Sequence, residues 1–222
     1  MRRSSEDIYH LNGRKYTAAA EGTDTGFRHS THYHSFFEGY TEVRVEKKNG
    51  GYKVERYYTA PWYISAEEKK TVQCRMLFYW IIYLLSAGMF FWCSCWRIGS
   101  NYTCYVAAFG FLTAVIQLLF FFFLCGYCLK QEKMTLYEYK HKTAEIRYGS
   151  MAASISLGIT ATMTGLYYLI HISNCESLVL IQTILLATGS AGMYWICHTE
   201  HKVPYMETEN YTKAPEGGFV IR

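Results

Sequence analysis

Cys125 and Cys128 stand three apart in the stretch FLCGYCLK, at the end of a long apolar run. Such a pair can hold a metal, exchange disulfides or simply fill a helix edge. Cys74, Cys197 and His198 also sit at ends of apolar blocks. Thiolates and an imidazole suit zinc when four of them converge as a tetrahedron, so these five residues form a candidate zinc set. The competing reading is packing, because free cysteine behaves as a small apolar residue. Packing is favoured: structural zinc pairs sit on turns, whereas this pair adjoins the four phenylalanines Phe120 to Phe123.

The elements that position these residues are four blocks free of Asp, Glu, Lys and Arg: 76–96, 102–129, 151–172 and 178–197. Each is long enough to cross a hydrocarbon core of about 30 Å. The mean hydropathy of −0.04 therefore averages a polar first third with four apolar spans. Of the 22 Lys and Arg residues, 13 precede the first span, five lie in 130–150 and three follow Cys197, leaving only Arg97 in the two short loops. Positive segments stay cytoplasmic. The expectation is a multi-pass protein of the plasma (inner) membrane, both termini cytoplasmic, with two short outer loops. The polar N-terminus carries no cleavable signal pattern, so the first span is expected to direct insertion. Asn101-Tyr-Thr103 is formally a glycosylation sequon on the outer side, pressed against the membrane.

That topology sorts the remaining cysteines, Cys93, Cys95, Cys104 and Cys175, to the outer face. In an oxidising compartment they can pair. The segment CSCWRIGSNYTC resembles, in topology and cysteine placement, the DsbB-type and vitamin K epoxide reductase-type oxidoreductases. The resemblance implies a four-span bundle whose outer cysteines pass electrons to a quinone. It departs from those families in having C-x-C where they use C-x-x-C, and a single cysteine in the second outer loop.

Within the spans, ionisable side chains, the usual mark of ion and proton pathways, are missing apart from His171 at an outer end. Gln117, Gln182 and several Ser and Thr hydroxyls are the polar groups, and such groups commonly bond neighbouring helices. Small residues recur four apart at Ser154, Gly158 and Thr162, at Ala161 and Gly165, and at Ala187 and Ala191. This spacing predicts a close hairpin of the third and fourth spans. Phosphate-loop, H-E-x-x-H and G-x-S-x-G motifs are absent, and acid–base chemistry would require carboxylates that the spans lack. The net charge of +4 follows from the cytoplasmic positives and calls for no nucleic acid.

Before the first span, two alternating runs flank Asn49-Gly50, a hairpin signal. With those residues as the loop, Glu46 faces Lys53, Val45 faces Val54 and Arg44 faces Glu55, a register with matched pairs. A lone hairpin is marginal in water, so Val45 and Val54 are expected to meet a packing partner. Ser65 and Glu68 form a capping-box pattern for a helix entering the membrane.

The sequence thus predicts an all-α membrane protein, a four-transmembrane-helix bundle with a small N-terminal cytoplasmic β-hairpin. Residues 1–34 read as a mobile tail in which His29, His32 and His34 are solvated. Residues 35–64 read as the hairpin, 65–198 as the bundle and 199–222 as a second tail. The expected function is non-enzymatic: an accessory or scaffolding subunit, or a homo-oligomer, held through Gly158, Gly165, Ala187, Ala191, Val45 and Val54. The lipid bilayer and other membrane subunits are the expected partners, with no cofactor required. A quinone-linked thiol oxidoreductase and an oligomeric pore or carrier for a neutral solute are the alternatives.

Overall fold

The computed structural model describes residues 8–11, 14–17, 36–46, 51–129, 133–172, 177–210 and 219–220. Four helices carry the fold: α1 (Lys69–Ser94), α2 (Cys104–Cys128), α3 (Leu136–Ile170) and α4 (Ser177–His201). All four are long and apolar enough to cross a membrane. The described residues also include seven strands: β1 (Ile8–Leu11), β2 (Arg14–Thr17), β3 (Tyr40–Glu46), β4 (Tyr52–Tyr58), β5 (Trp62–Ser65), β6 (Tyr205–Thr208) and β7 (Phe219–Val220). The chain divides into two compact units, one of residues 1–64, 133–140 and 206–222 and one of 65–132 and 141–205. The expected four-span helical bundle, with antiparallel strands before it, is the observed fold.

The helices overrun their apolar blocks. α1 starts at Lys69 rather than Met76, α3 at Leu136 rather than Met151, and α4 continues past Cys197 to His201. Hydropathy reports where lipid can sit, whereas a helix continues until a cap or breaker stops it. The capping box forms, but not at Ser65: Glu68 is the N-cap of α1 and its side chain makes no capping bond. Thr135 and Glu138 form it instead, the Glu138 amide donating to Thr135 Oγ1 and the Thr135 amide to Glu138 Oε2. That reciprocal pair starts α3 in the segment between the second and third apolar blocks.

In the strand-bearing unit, β3 is central. It pairs with β4 along one edge and with β2 and β7 along the other, and β1 pairs with β2. The strands β1 and β2 fall in residues 1–34, read from sequence as a tail, and β6 and β7 fall in 199–222. The hairpin β3–β4 is therefore not alone; its own chain supplies three further strands to the sheet.

Its register is one residue away from the expected one. Val45 lies opposite Lys53, Arg44 opposite Val54 and Val43 opposite Glu55. A one-residue slip exchanges the faces, so Val45 is buried with Val43 and Tyr57 while Val54 is 41% exposed on the other face. The expected Val45–Val54 contact does not form. What the observed register gains is Glu42 directly opposite Arg56, with Arg56 Nε donating to Glu42 Oε1 at 2.7 Å. The Arg56 guanidinium also lies 4.4 Å over the Phe37 ring. The Asn49-Gly50 turn itself lies outside the described residues.

An aromatic cluster completes this unit. The Tyr58 ring packs against Tyr40 and Trp62 at 5.1 and 4.6 Å. Its hydroxyl donates to Pro61 O and accepts from the Leu136 amide. Burial pushes that phenol above its ordinary pKa. Gly39 makes the approach possible: it has φ +85°, and a Cβ there would stand 2.6 Å from Ala60 Cβ. Only glycine adopts that backbone without strain.

Candidate functional site

In the helical unit, Ser and Thr hydroxyls bridge helices. Ser86 Oγ donates to Gly189 O, joining α1 to α4. Ser154 and Ser190 each donate to the other's carbonyl, at 2.9 and 2.8 Å, joining α3 to α4. Thr113 Oγ1 reaches Ser156 O and Thr160 Oγ1, joining α2 to α3. The Tyr83 hydroxyl donates to Gln117 O, joining α1 to α2. Close approach of α4 rests on Gly189 and Gly192 against Ser86 and Ile82, as well as on Gly158 and Gly165, whose hydrogens face Ser190 and Thr183. Ala187 and Ala191 lie on the exposed side of α4 instead.

The most polar buried assembly of the helical unit lies around the last turn of α4. Glu200, in the last turn of α4, is fully buried. Its carboxylate accepts from the Tyr79 hydroxyl of α1 at 3.1 Å, the Tyr127 hydroxyl of α2 at 3.0 Å and the Tyr205 hydroxyl of β6 at 2.9 Å. The Tyr127 and Tyr205 oxygens also lie 3.1 Å apart. Each phenol carries one proton to donate, and the three phenols converge on the two carboxyl oxygens of Glu200. Burial and the neighbouring Tyr127 and Glu200 raise the Tyr205 pKa well above its ordinary value.

Two arginines flank the cage. Arg75 of α1 acts electrostatically on Glu200 and makes a salt bridge to Glu67. Arg147 of α3 donates through Nη2 to the Glu200 carbonyl at 3.1 Å. All four helices therefore converge on one residue. Sequence reading placed no carboxylate in the spans, because Glu200 stands three residues beyond the last apolar block. The signal that could have found it is the helical continuation through Cys197-His198-Thr199, which puts Glu200 on the same face as Met193 and Ile196, both buried. A carboxylate kept out of water needs hydrogen bonds and a counter-charge, and tyrosines on two other helices and a strand supply the bonds.

Gln117, at mid-span in α2, is fully buried, and both its side-chain polar atoms lack a partner among the described residues. Gln182 is engaged: Nε2 donates to Asn101 Oδ1 at 2.8 Å and Oε1 accepts from Ser100 Oγ. Asn101 Nδ2, the nitrogen a glycan would modify, donates to Cys93 O and Trp96 O and so closes the end of α1.

The cysteines take separate positions. Cys74 is exposed, Cys125 and Cys128 are half-buried, and Cys197 is buried with His201 Nδ1 3.7 Å from its sulfur. Among the described residues, no three His, Cys, Asp or Glu side chains are placed to hold a metal. On the opposite side, Cys93 is buried while Cys95 and Cys104 are exposed, and all three are free thiols. Cys175 lies outside the described residues. Comparison with protein-family models, with curated proteins and with solved structures finds no match.

Proposed function

We propose that this chain is a non-enzymatic membrane subunit, an accessory or scaffolding component of a larger assembly or of a homo-oligomer. It would reside in the plasma (inner) membrane with both termini in the cytoplasm, as its charge distribution implies. The observation that carries the reading is the Glu200 cage. The one carboxylate buried in the bundle among the described residues accepts from three tyrosines of the same chain. The hydroxyls of the interior are likewise bonded to neighbouring backbone. Groups used in this way hold helices together.

Two outward features support a partner. Ala187 and Ala191 stand four apart on the exposed side of α4, the spacing at which a second helix can approach closely. Phe78 and Trp195, both exposed, meet edge to face at 5.9 Å across α1 and α4 and offer a broad apolar surface beside them.

The test is gentle extraction of the full chain from its native membrane, followed by native mass spectrometry. A complex of two or more chains is expected, and replacing Ala187 and Ala191 by leucine should dissociate it. A lone monomer retaining no partner overturns the reading.

A further inference from the structure

A cavity of about 250 Å³ lies in the helical unit between α1 and α2, away from the Glu200 cage. Exposed Phe91 and Phe111 stand at its rim; Phe90, Val106, Leu186 and Gln182, each at most 3% exposed, line its depth. We propose that this cavity binds a membrane lipid with a long apolar chain and one uncharged oxygen function (an alcohol, ester or ketone) at its polar end.

Charge decides the class first. The lining includes no Asp, Glu, Lys, Arg or His. A charged headgroup would lose its hydration there without a counter-ion, a cost of many kcal/mol, whereas a neutral oxygen needs only a hydrogen bond.

The polarity of the walls then sets an orientation. Ser94 and Asn101 lie at the loop joining α1 to α2, and Gln182 lies in the second turn of α4. From Val106 to Ala114 the α2 wall runs on for roughly 12 Å, at 1.5 Å per residue, toward mid-span. A lipid lying in that leaflet has the same arrangement, polar end at the loops and chain toward the middle of the bilayer.

Gln182 supplies the recognising donor. Its Nε2 carries two hydrogens. One is given to Asn101 Oδ1 at 2.8 Å, and the other has no acceptor among the described residues. A buried amide hydrogen without a partner costs about 1–3 kcal/mol, so a lipid oxygen placed there gains a bond that the fold leaves open. Gly110 supplies the space: a Cβ built on it would meet nothing within 4 Å. Glycine inside a helix costs about 1 kcal/mol relative to alanine, and here the small residue keeps the cavity wide.

The experiment uses the full chain in lipid nanodiscs and a monoacylglycerol whose chain carries a diazirine and an alkyne. Illumination should label peptides containing Phe90 to Ser94 and Val106 to Ala114. Excess unlabelled monoacylglycerol should reduce that labelling several-fold. The fatty-acid anion of equal chain length should not compete. Gly110→Leu, which fills the cavity, should abolish the competed labelling. Ala107→Leu at the exposed rim serves as a second blocking variant should Gly110→Leu fail to melt like the native chain. Gln182→Leu should leave the chain labelled but remove the advantage of the monoacylglycerol over an alkane of equal chain length as competitor. Labelling spread evenly over outward residues such as Ile184, or unchanged by both blocking variants, overturns the proposal. None of these readouts depends on oligomeric state, so this site and the subunit reading fail separately.

Discussion

The Tyr79 hydroxyl of the first span donates to Glu200 Oε2 of the fourth at 3.1 Å, across 121 residues of sequence. A phenol and a carboxylate so far apart in the chain meet only when the first and last helices are side by side. Ser86 on Gly189 O, two turns along the same pair, fixes the same neighbours. The first and last spans are thus bonded twice along one seam, once through a carboxyl group and once through a hydroxyl.

Glu200→Gln is expected to destabilise the bundle by about 1–3 kcal/mol, the usual cost of leaving a buried hydrogen-bonding group unsatisfied. The amide brings donors of its own toward three phenol donors. Tyr79→Phe removes one bond to a charged acceptor, and about 1.5–3 kcal/mol is expected. Thermal unfolding in detergent, followed by the reactivity of the buried Cys93 thiol, reads both. A Glu200→Gln protein that exposes Cys93 at the native temperature would show that the cage contributes nothing.

Small residues on α4 fall into two classes, and substitution should separate them. A side chain at Gly192 would meet Ile82 Cγ2 at 3.1 Å and Ser86 Oγ at 3.3 Å from its Cβ. Gly192→Leu should therefore push α1 from α4 at a cost of about 1–3 kcal/mol. Ala187 points outward, so Ala187→Leu should change the stability of the isolated chain by no more than about 0.5 kcal/mol. Equal losses from the two changes, measured as shifts in thermal midpoint, would place the α1–α4 contact elsewhere.

What sequence made legible here follows from the kind of force involved. Four spans were readable because burying about 20 apolar residues in lipid is a one-dimensional requirement, satisfied without knowing any neighbour. Gly158 and Gly165 were readable as contact residues from their spacing. Ala187 and Ala191 have identical spacing but face outward, because periodicity gives a face and not its direction. The hairpin register differs by one residue from that of a two-residue Asn49-Gly50 loop, because Glu42 stands opposite Arg56 and Val45 opposite Lys53. Glu200 was missed for a different reason. A carboxylate just past an apolar block is ordinarily an interfacial residue, and only the convergence of Tyr79, Tyr127 and Tyr205 makes its burial tolerable. Gln117 shows the converse, an amide legible in the sequence whose side chain finds no protein partner among the described residues.

The strand-bearing unit should lose stability in alkali through Tyr63. Its ring stacks on Tyr139 at 4.5 Å and its hydroxyl donates to Glu207 at 2.9 Å. Burial first, and the Glu207 carboxylate second, push this phenol from the ordinary 10 up to about 12. The folded state therefore holds the proton more tightly than the unfolded chain does. Below pH 10 both states are protonated and the contribution is complete. As pH rises toward 12 the unfolded chain ionises first, and stability falls. Tyr58, raised in the same direction by burial, adds to this slope. Subtracting the Tyr63→Phe titration from that of the native chain isolates one tyrosinate among the 21 tyrosines by its ultraviolet absorbance. That difference should rise near pH 12, and Tyr63→Phe should flatten the alkaline fall in stability. A difference rising at the ordinary value of 10 would mean that the Tyr63–Glu207 bond does not form in solution.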